Sequence, residues 1–336
     1  MKNKVPKFLS SKIENFTNID SFQILDTKCL FNINKSMNSE LFINLGRCNN
    51  IIRINKFHEQ VNDSIKLNSL YISCGETLEQ RRIRVQAKFP FGFKTFFRLI
   101  DFIYKRVIPK TPYLKKLYFA ITRGHNRVIS KAEILGRLIS CGFDIVDCFD
   151  HDGLMYVISK KVRPPEYDMS PSYGLICKFK RIGHKGKVIN VYKFRTMYPY
   201  SEYCQDFIVK QNKLAKSGKI FKDYRITTWG KFMRKYWIDE LPMLINFLRR
   251  DLNIFGVRPL SKNYFSLYPL ELRNKRIRVK PGLIPPYYSD MPQNFEEILK
   301  SEENYLNQKF KNSILTDVKY LISALYNIFF KGARSN

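Results

Sequence analysis

The sequence of 336 residues predicts an α/β protein with two domains and an amphipathic C-terminal helix. Three observations support this fold class. Strand-like and helix-like patterns alternate through the first half, prolines interrupt the pattern at 162–171, and a second region of short strands and amphipathic helices follows. We therefore predict an N-terminal domain at 1–165, a second domain at 170–310 and a C-terminal helix at 311–336.

The first predicted elements are two buried strands on either side of a helix. Residues 41–45 (LFINL) and 70–74 (LYISC) are apolar runs of strand length. Residues 51–67 between them have a helical pattern. A strand, a helix and a second strand are typical of an α/β unit.

A capping box predicts the start of the next helix. Ser130 and Glu133 have the spacing at which each side chain accepts a hydrogen bond from the other residue's amide, and Gly142 is placed to end the helix. Residues 143–148 and 154–162, separated by an Asp-Gly turn, predict a closing β-hairpin.

This order of elements resembles the second half of a class I methyltransferase fold. The segments GRLISCGFDIVD (136–147) and GLMYVISKKV (153–162) are similar to that fold's last helix and last two strands. The glycine-rich loop that would hold S-adenosylmethionine does not occur in the first 45 residues. We therefore predict a partial Rossmann-like domain with a structural or regulatory role; an S-adenosylmethionine-dependent methyltransferase is the alternative.

The charge balance predicts a polyanionic partner. The chain has 59 Lys and Arg against 29 Asp and Glu, a formal net charge of +30. Nucleic acid, an anionic bilayer and phosphorylated substrates all fit this excess, and charge alone does not choose among them. An AT-rich genome that favours lysine codons accounts for the composition equally well.

Two segments have the pattern of amphipathic helices. Within residues 95–121, one helical face carries apolar side chains, namely Phe96, Leu99, Ile100, Ile103 and Val107, and basic residues flank it. Such a basic hairpin can lie in a bilayer interface or pack on a neighbouring domain, and both interpretations remain open. The helix at 311–336 carries a similar stripe, which could likewise dock on lipid or on protein.

Other sequence features favour a cytosolic protein. Seven scattered cysteines without CxxC spacing are typical of a reducing compartment. The N-terminus lacks the apolar segment of a signal peptide, and no apolar run approaches the roughly 20 residues that span a bilayer. We therefore expect a peripheral or monotopic protein without a spanning helix.

From residue 178 onward, the sequence contains three motif blocks in a fixed order. The first is KRIGHKGKVINVYKFRTM (180–197), and the second is TTWGKFMRKYWIDELPMLINFLRRDLNIFGVRPL (227–260). The third is RVKPG (278–282). Together they resemble the bacterial sugar transferase family, also called monotopic phosphoglycosyl transferases or polyprenyl glycosylphosphotransferases, so the second domain is expected to be an α/β sugar-transferase catalytic domain.

The resemblance implies a role for each matching residue. Asp239 would be the nucleophile that forms a covalent phosphosugar intermediate and releases UMP, and Glu240 would assist by holding a magnesium ion or moving a proton. The matching cations would contact phosphate: Arg181, Lys187, Lys193, Arg195, Arg234 and Arg258. From the sequence pattern, we expect Asp239 and Glu240 at the N-terminus of a helix, where amides and the helix dipole stabilise negative charge.

The family resemblance implies a phosphoglycosyl transferase on the cytoplasmic face of the bacterial inner membrane. The implied partners are a UDP-sugar, undecaprenyl (polyprenyl) phosphate and an anionic membrane surface, and the implied cofactor is Mg²⁺. No nucleic acid is expected, although a non-catalytic basic scaffold that binds membrane or nucleic acid is an alternative. The chain departs from the family at Gly256-Val257-Arg258-Pro259 and at the segment after Pro281, and charged residues replace the usual membrane hairpin before the first block.

Overall fold

The computed structural model describes residues 5–13, 21–33, 39–88, 93–111, 113–167, 174–211 and 223–333. They form two compact units: residues 1–173 with 198–225, and residues 174–197 with 226–336. This division differs from the predicted boundaries in two ways. Residues 198–225 join the N-terminal unit although they lie within the predicted second domain, and residues 311–336 belong to the second unit.

A five-stranded mixed sheet forms the centre of the first unit. Its strands are β1 (Phe22–Leu25), β2 (Leu41–Arg47), β3 (Leu70–Gly75), β4 (Phe143–His151) and β5 (Leu154–Lys161), in the order β1-β2-β3-β5-β4. The first three strands are parallel, and β5 is antiparallel to both of its neighbours. The predicted strands and closing hairpin are confirmed, whereas the methyltransferase resemblance stays a prediction.

The first unit contains seven α-helices in the described residues. They are α1 (Lys7–Ile13), α2 (Ile54–Ser64), α3 (Leu78–Lys88), α4 (Lys94–Phe102), α5 (Leu114–Thr122), α6 (Lys131–Ser140) and α7 (Gln205–Gln211). A π-helical turn at Ile103–Val107 and a 3₁₀ turn at Ile108–Lys110 follow α4. We call residues 94–122 the amphipathic hairpin.

Alternating strand side chains supply two apolar layers. Phe42, Tyr71 and Phe143 belong to the core cluster that also contains apolar side chains of α2 and α6. Leu41 and Ile72 belong to the cluster that contains those of α1. Because successive strand residues point to opposite faces, both faces of the sheet are covered by helices.

The predicted turn chemistry is confirmed. Ser130 Oγ accepts from the Glu133 amide at 3.2 Å, and Glu133 Oε2 accepts from the Ser130 amide at 3.1 Å, which completes the capping box of α6. Asp152 and Gly153 have φ of 48° and 70°. Positive φ at both central residues is the geometry of a type I′ hairpin turn.

The second unit combines a β-hairpin with short helices and a closing helical pair. The hairpin is β6 (Ile176–Ile182) and β7 (Val188–Phe194), and β8 (Asn253–Phe255) pairs in parallel with β9 (Gly282–Ile284). The described helices are α8 (Thr228–Lys235), α9 (Met243–Leu248), α10 (Lys262–Ser266), α11 (Leu270–Ile277), α12 (Tyr287–Asp290), α13 (Phe295–Lys311) and α14 (Ser313–Phe330).

The C-terminal helix α14 contributes one face to the core of the second unit. Tyr320, Ala324 and Ile328 are buried in the cluster formed with Phe255 and Tyr305. Of the predicted apolar stripe, Ile328 is buried, whereas Ile322, Leu325 and Phe329 are exposed. The helix therefore docks on protein through one face. None of the helices in the described ranges combines the length and apolarity needed to cross a membrane.

Candidate active site

The first and second motif blocks meet at an ion pair. Lys193, near the end of β7, places its Nζ 2.5 Å from Glu240 Oε1. Both side chains are about three-quarters buried, with 24% and 23% of their surface exposed. A partly buried ion pair is more strongly coupled than an exposed one, so this contact fixes the Glu240 carboxylate against the hairpin.

The acidic pair lies in a tight turn rather than at the start of an α-helix, which corrects the prediction. Residues Ile238–Glu240 form a 3₁₀ turn, and α9 begins after Pro242. Proline has no amide hydrogen to donate to the Ile238 carbonyl, so the α-helical pattern cannot continue through it. Because α9 has only six residues, the helix dipole contributes little to this site.

A buried asparagine fixes the position of α9. Asn246 Nδ2 donates to the Asn190 carbonyl at 2.7 Å, and Asn246 Oδ1 accepts from the Tyr192 amide at 3.0 Å. Its Nδ2 also donates to Asp251 Oδ2 at 3.3 Å, which gives Asp251 a structural hydrogen-bonding role. These bonds hold the acidic turn beside β7.

A cavity of about 360 Å³ opens beside Glu240. Three of the predicted cations, Arg181, Lys193 and Arg258, line it together with Glu240. Burial and the nearby charge of Arg258 lower the pKa of Arg181. This concentration of positive charge favours an anionic ligand such as a diphosphate.

Arg258 is positioned by a buried network behind the cavity. Arg276 Nη2 donates to the Arg258 carbonyl at 2.5 Å, and the buried Arg276 forms an ion pair with the buried Glu302. The guanidinium of Arg258 lies 5.8 Å from the centre of the Tyr287 ring. Its backbone and its side chain are thus both held in place.

Asp239 is half-buried next to Glu240. The pKa of its carboxyl is raised, first by burial and then by the like charge of Glu240, while Lys193 and Arg234 oppose the shift. The surroundings of Asp239 therefore do not give its carboxylate the net stabilisation that the sequence predicts. A raised pKa keeps more of the carboxyl protonated at a given pH, but it also makes the ionised form a stronger nucleophile.

The remaining predicted cations lie outside the cavity lining. Arg234 Nε donates to Thr196 Oγ1 at 3.0 Å and acts on Asp239 through its charge. Arg195 Nε donates to the Gly174 carbonyl at 2.8 Å. Lys187 is exposed at the end of the β6–β7 turn. The structure therefore groups three of the six cations in the cavity and places Arg234 near the acidic turn.

Sequence reasoning missed three polar residues of the cavity: Ser261, Tyr264 and Tyr287. Tyr287 follows the third motif block, in a segment where the chain departs from the family pattern. The closeness of Tyr287 to Arg258 depends on a fold that brings two separate loops together. A signal was available in the aromatic cluster after Pro281, but sequence alone could not connect it with Arg258.

A glycine allows the first two blocks to approach closely. A Cβ atom at Gly230 would collide with the Thr196 carbonyl oxygen. The same carbonyl accepts hydrogen bonds from the Thr227 amide at 3.0 Å and the Thr227 hydroxyl at 3.2 Å. The glycine of the T-x-x-G motif therefore lets α8 pack against the end of the first block.

Glu240 and Asp239 suit a magnesium ion that a bound substrate also coordinates. Within the described ranges, no group of three His, Cys, Asp or Glu side chains is close enough to form a metal site. Magnesium is commonly bound by one or two carboxylates plus substrate phosphates and waters. Glu240 in the cavity and the adjacent Asp239 fit this shared kind of site.

Comparison with known proteins finds a family match in the second half of the chain. The profile of the family described as bacterial sugar transferase matches residues 168–331. The three motif blocks lie within this match, so residues 168–331 are similar to the bacterial sugar transferase family, as the sequence predicts.

Individual relatives are similar to part of this chain. The galactosyl transferase CpsE of Streptococcus agalactiae is 33% identical over 151 residues, which cover 43% of this chain and 32% of the relative. The undecaprenyl-phosphate galactose phosphotransferase of Salmonella typhimurium is 33% identical over 109 residues, covering 31% and 23% of the two chains.

A third relative carries a different sugar in its name. It is the UDP-N-acetylgalactosamine-undecaprenyl-phosphate N-acetylgalactosaminephosphotransferase of Aeromonas hydrophila, 32% identical over 105 residues, covering 31% of this chain and 22% of the relative. The chain thus spans less than a third of the length of each of these three relatives.

Proposed function

We propose that this chain is a phosphoglycosyl transferase that moves a sugar phosphate from a UDP-sugar to undecaprenyl phosphate or a similar polyprenyl phosphate. This step would initiate the synthesis of an exopolysaccharide, a capsule or an O-antigen at the cytoplasmic face of the inner membrane. The observation that carries the proposal is the basic cavity in which Lys193 holds Glu240, beside Asp239. The names of the relatives support the same substrates.

The proposed reaction has two displacements at one phosphorus atom. A carboxylate oxygen of Asp239 attacks the sugar-linked phosphorus, the bond from that phosphorus to the bridging oxygen breaks, and UMP leaves with the electron pair. A phosphate oxygen of the polyprenyl phosphate then attacks the same phosphorus. The bond to Asp239 breaks, the carboxylate is restored, and a polyprenyl diphosphate sugar is formed.

The cavity cations make this reaction possible electrostatically. A diphosphate would be repelled by Asp239 and Glu240 alone, so Arg181, Lys193 and Arg258 must neutralise it. Arg258 is suited to two parallel hydrogen bonds with phosphate oxygens because its guanidinium is planar. Glu240 would hold a magnesium ion together with diphosphate oxygens, and this ion would supply further neutralisation of the leaving phosphate.

The direct test is UMP release. Purified protein should release UMP from at least one UDP-sugar when undecaprenyl phosphate and Mg²⁺ are present, with matched formation of a lipid-linked sugar diphosphate. A panel that includes UDP-galactose and UDP-N-acetylgalactosamine covers the sugars named in the relatives. Failure to release UMP from any UDP-sugar, with or without lipid acceptor, would argue against the proposed function.

The pH profile should report the environment of Asp239. Activity requires the ionised carboxylate, so it should fall as the pH drops through a pKa that lies above the ordinary aspartate value of about 3.9. In Lys193→Met, a cation that lowers this pKa is lost, and the acid limb of kcat/KM should move to higher pH. Lys187→Met, an exposed position outside the cavity lining, should leave the acid limb in place. An acid limb of Lys193→Met that stayed fixed or moved to lower pH would contradict this account.

The amphipathic hairpin supports attachment to an anionic membrane. Its apolar side chains Leu99, Leu117 and Ile121 are 56%, 60% and 67% exposed, and basic residues flank them. Apolar insertion together with attraction between the +30 chain and anionic lipid would hold the protein at the interface.

Binding to phosphatidylglycerol vesicles tests this attachment. Because salt screens exposed charges, raised ionic strength should release much of the protein. Leu117→Ser with Ile121→Ser should weaken binding by about tenfold or more, since apolar surface leaves the interface. Leu67→Ser with Ile83→Ser removes similarly exposed side chains elsewhere in the same unit and is the matched control. Equal binding by both double variants would exclude the hairpin as the attachment surface.

A further inference from the structure

A second cavity lies in the first unit, formed entirely by residues of that unit. Its volume is about 300 Å³. One wall is the inner side of the amphipathic hairpin, including Lys105, Arg106 and Lys110, and another is the start of α2 with Arg53 and nearby side chains. Such a volume accommodates a phosphate group with part of the molecule that carries it.

The lining of this cavity is strongly basic. Eight of its side chains are Lys or Arg, and two are Glu, which leaves a surplus of six positive charges in the lining. Of the two carboxylates, Glu59 pairs with Lys56 at 3.0 Å. Glu133 is buried and pairs with Arg106 and Lys110, each at 2.7 Å. The lining therefore carries more positive charge than its own carboxylates neutralise.

The cations at the base of the cavity are held in fixed positions. The guanidinium of Arg137 lies 4.4 Å from the centre of the Tyr200 ring and donates to Asn55 Oδ1 at 2.5 Å. Asn55 Nδ2 in turn donates to the Tyr200 hydroxyl at 2.9 Å. Arg106 Nη1 donates to the Val128 carbonyl at 2.9 Å. Because these side chains are ordered before a ligand binds, binding costs less conformational entropy.

Burial disfavours the charged form of one of these groups. Burial, aided by the charge of Arg106, lowers the pKa of Lys110 to about 8, even though Glu133 opposes the shift. An anion bound beside Lys110 would stabilise its charged form.

We propose that this cavity is a phosphate-binding site of the N-terminal unit, distinct from the candidate active site. The ligand is a molecule that carries a phosphoryl group, either a soluble phosphate compound or a lipid headgroup. The lipid source is chemically compatible because the hairpin that lines the cavity exposes apolar side chains on its other side. The proposal does not depend on the sugar transferase reaction.

Hydrogen–deuterium exchange of the full chain can locate this binding. The probes are inorganic phosphate against chloride at equal ionic strength, and phosphatidylcholine vesicles with or without phosphatidic acid. We expect slower exchange in peptides from 103–111 and 131–140 when a phosphoryl group is present. Peptides from 234–261 report separately on the candidate active site, so success or failure at one site is visible independently of the other.

A charge variant of the cavity provides the quantitative test. Arg53→Gln, Lys105→Gln and Lys115→Gln together remove three lining cations without touching the partners of Glu133. This variant should need at least about tenfold more ligand for the same protection. Lys66→Gln, Arg82→Gln and Lys88→Gln remove the same charge from exposed positions outside the cavity and should behave as the native chain.

Each outcome bears on the proposal. Protection of both 103–111 and 131–140 by inorganic phosphate assigns a soluble ligand, and protection of both only by vesicles with phosphatidic acid assigns a lipid headgroup; both support the site. Protection of 103–111 alone by these vesicles is what attachment of the amphipathic hairpin to the membrane produces, and it would overturn the site. Equal titrations of the two triple variants would overturn it, as would unchanged exchange of residues 103–111 in the native chain with either probe. If the cavity variant failed to fold, shown by circular dichroism, Lys115→Gln alone and the native titrations would still decide.

Discussion

Asp239→Asn should release UMP from a UDP-sugar at least about a thousandfold more slowly than the native chain, because the amide is a far poorer nucleophile than the carboxylate. The substitution keeps the shape of the side chain, and the Lys193–Glu240 ion pair at 2.5 Å does not involve residue 239. Folding should therefore be preserved while the first displacement is lost.

The nucleophile can be identified by trapping as well as by rate. When lipid acceptor is withheld, the native protein should gain the mass of one sugar phosphate on a peptide that contains Asp239, and Asp239→Asn should not. Asp206→Asn, the same change at an exposed aspartate, should retain the native rate. A phosphosugar found on Glu240, or a native rate in Asp239→Asn, would assign the nucleophile elsewhere.

Glu302→Gln should lower the free energy of unfolding of the second unit by about 3–5 kcal/mol. Glu302 and Arg276 are a buried ion pair, and the loss of one charge leaves the other buried without compensation. Because Arg276 also donates to the Arg258 carbonyl at 2.5 Å, Arg258 should lose part of its positioning and phosphate affinity should fall.

The neighbouring residue supplies a matched control. Glu303 pairs with Lys275 at 2.8 Å, but its side chain is 42% exposed, so Glu303→Gln should cost at most about 1 kcal/mol. Both tryptophans, Trp229 and Trp237, lie in the second unit, so their fluorescence follows urea unfolding of that unit. Equal stability losses in the two variants would show that the buried pair has no special role.

Local sequence signals predicted the parts of the fold that local chemistry determines. The capping box of Ser130 and Glu133 and the Asp152-Gly153 turn were identified because their hydrogen bonds and dihedral angles involve neighbouring residues. The motif blocks likewise identified Lys193, Glu240 and Arg258 as residues that meet. The roles of Asp239 and Glu240 in catalysis stay predictions until the variants are measured.

Long-range contacts account for most of what the sequence did not predict. Glu133 caps its own helix, yet it also pairs with Arg106 and Lys110, more than 20 residues away, and no periodic pattern indicates such a partner. The helix that the sequence predicts to start at Asp239 starts instead after Pro242. Leu244 and Leu248 on α9, and Leu241 just before it, are apolar and yet exposed. Burial depends on what packs against a helix, which its own sequence does not specify.

The path of the chain restricts how the two halves can be separated. Residues 198–225 interrupt the second unit in sequence but contribute Cys204 and Ile208 to the core of the first. A fragment that starts at residue 174 would carry this segment with its apolar side chains uncovered, which invites aggregation. Recombination at a single point between the halves would have the same result. We therefore expect the two units to be inherited and produced as one piece, with any exchange of donor specificity between homologous genes requiring several crossovers.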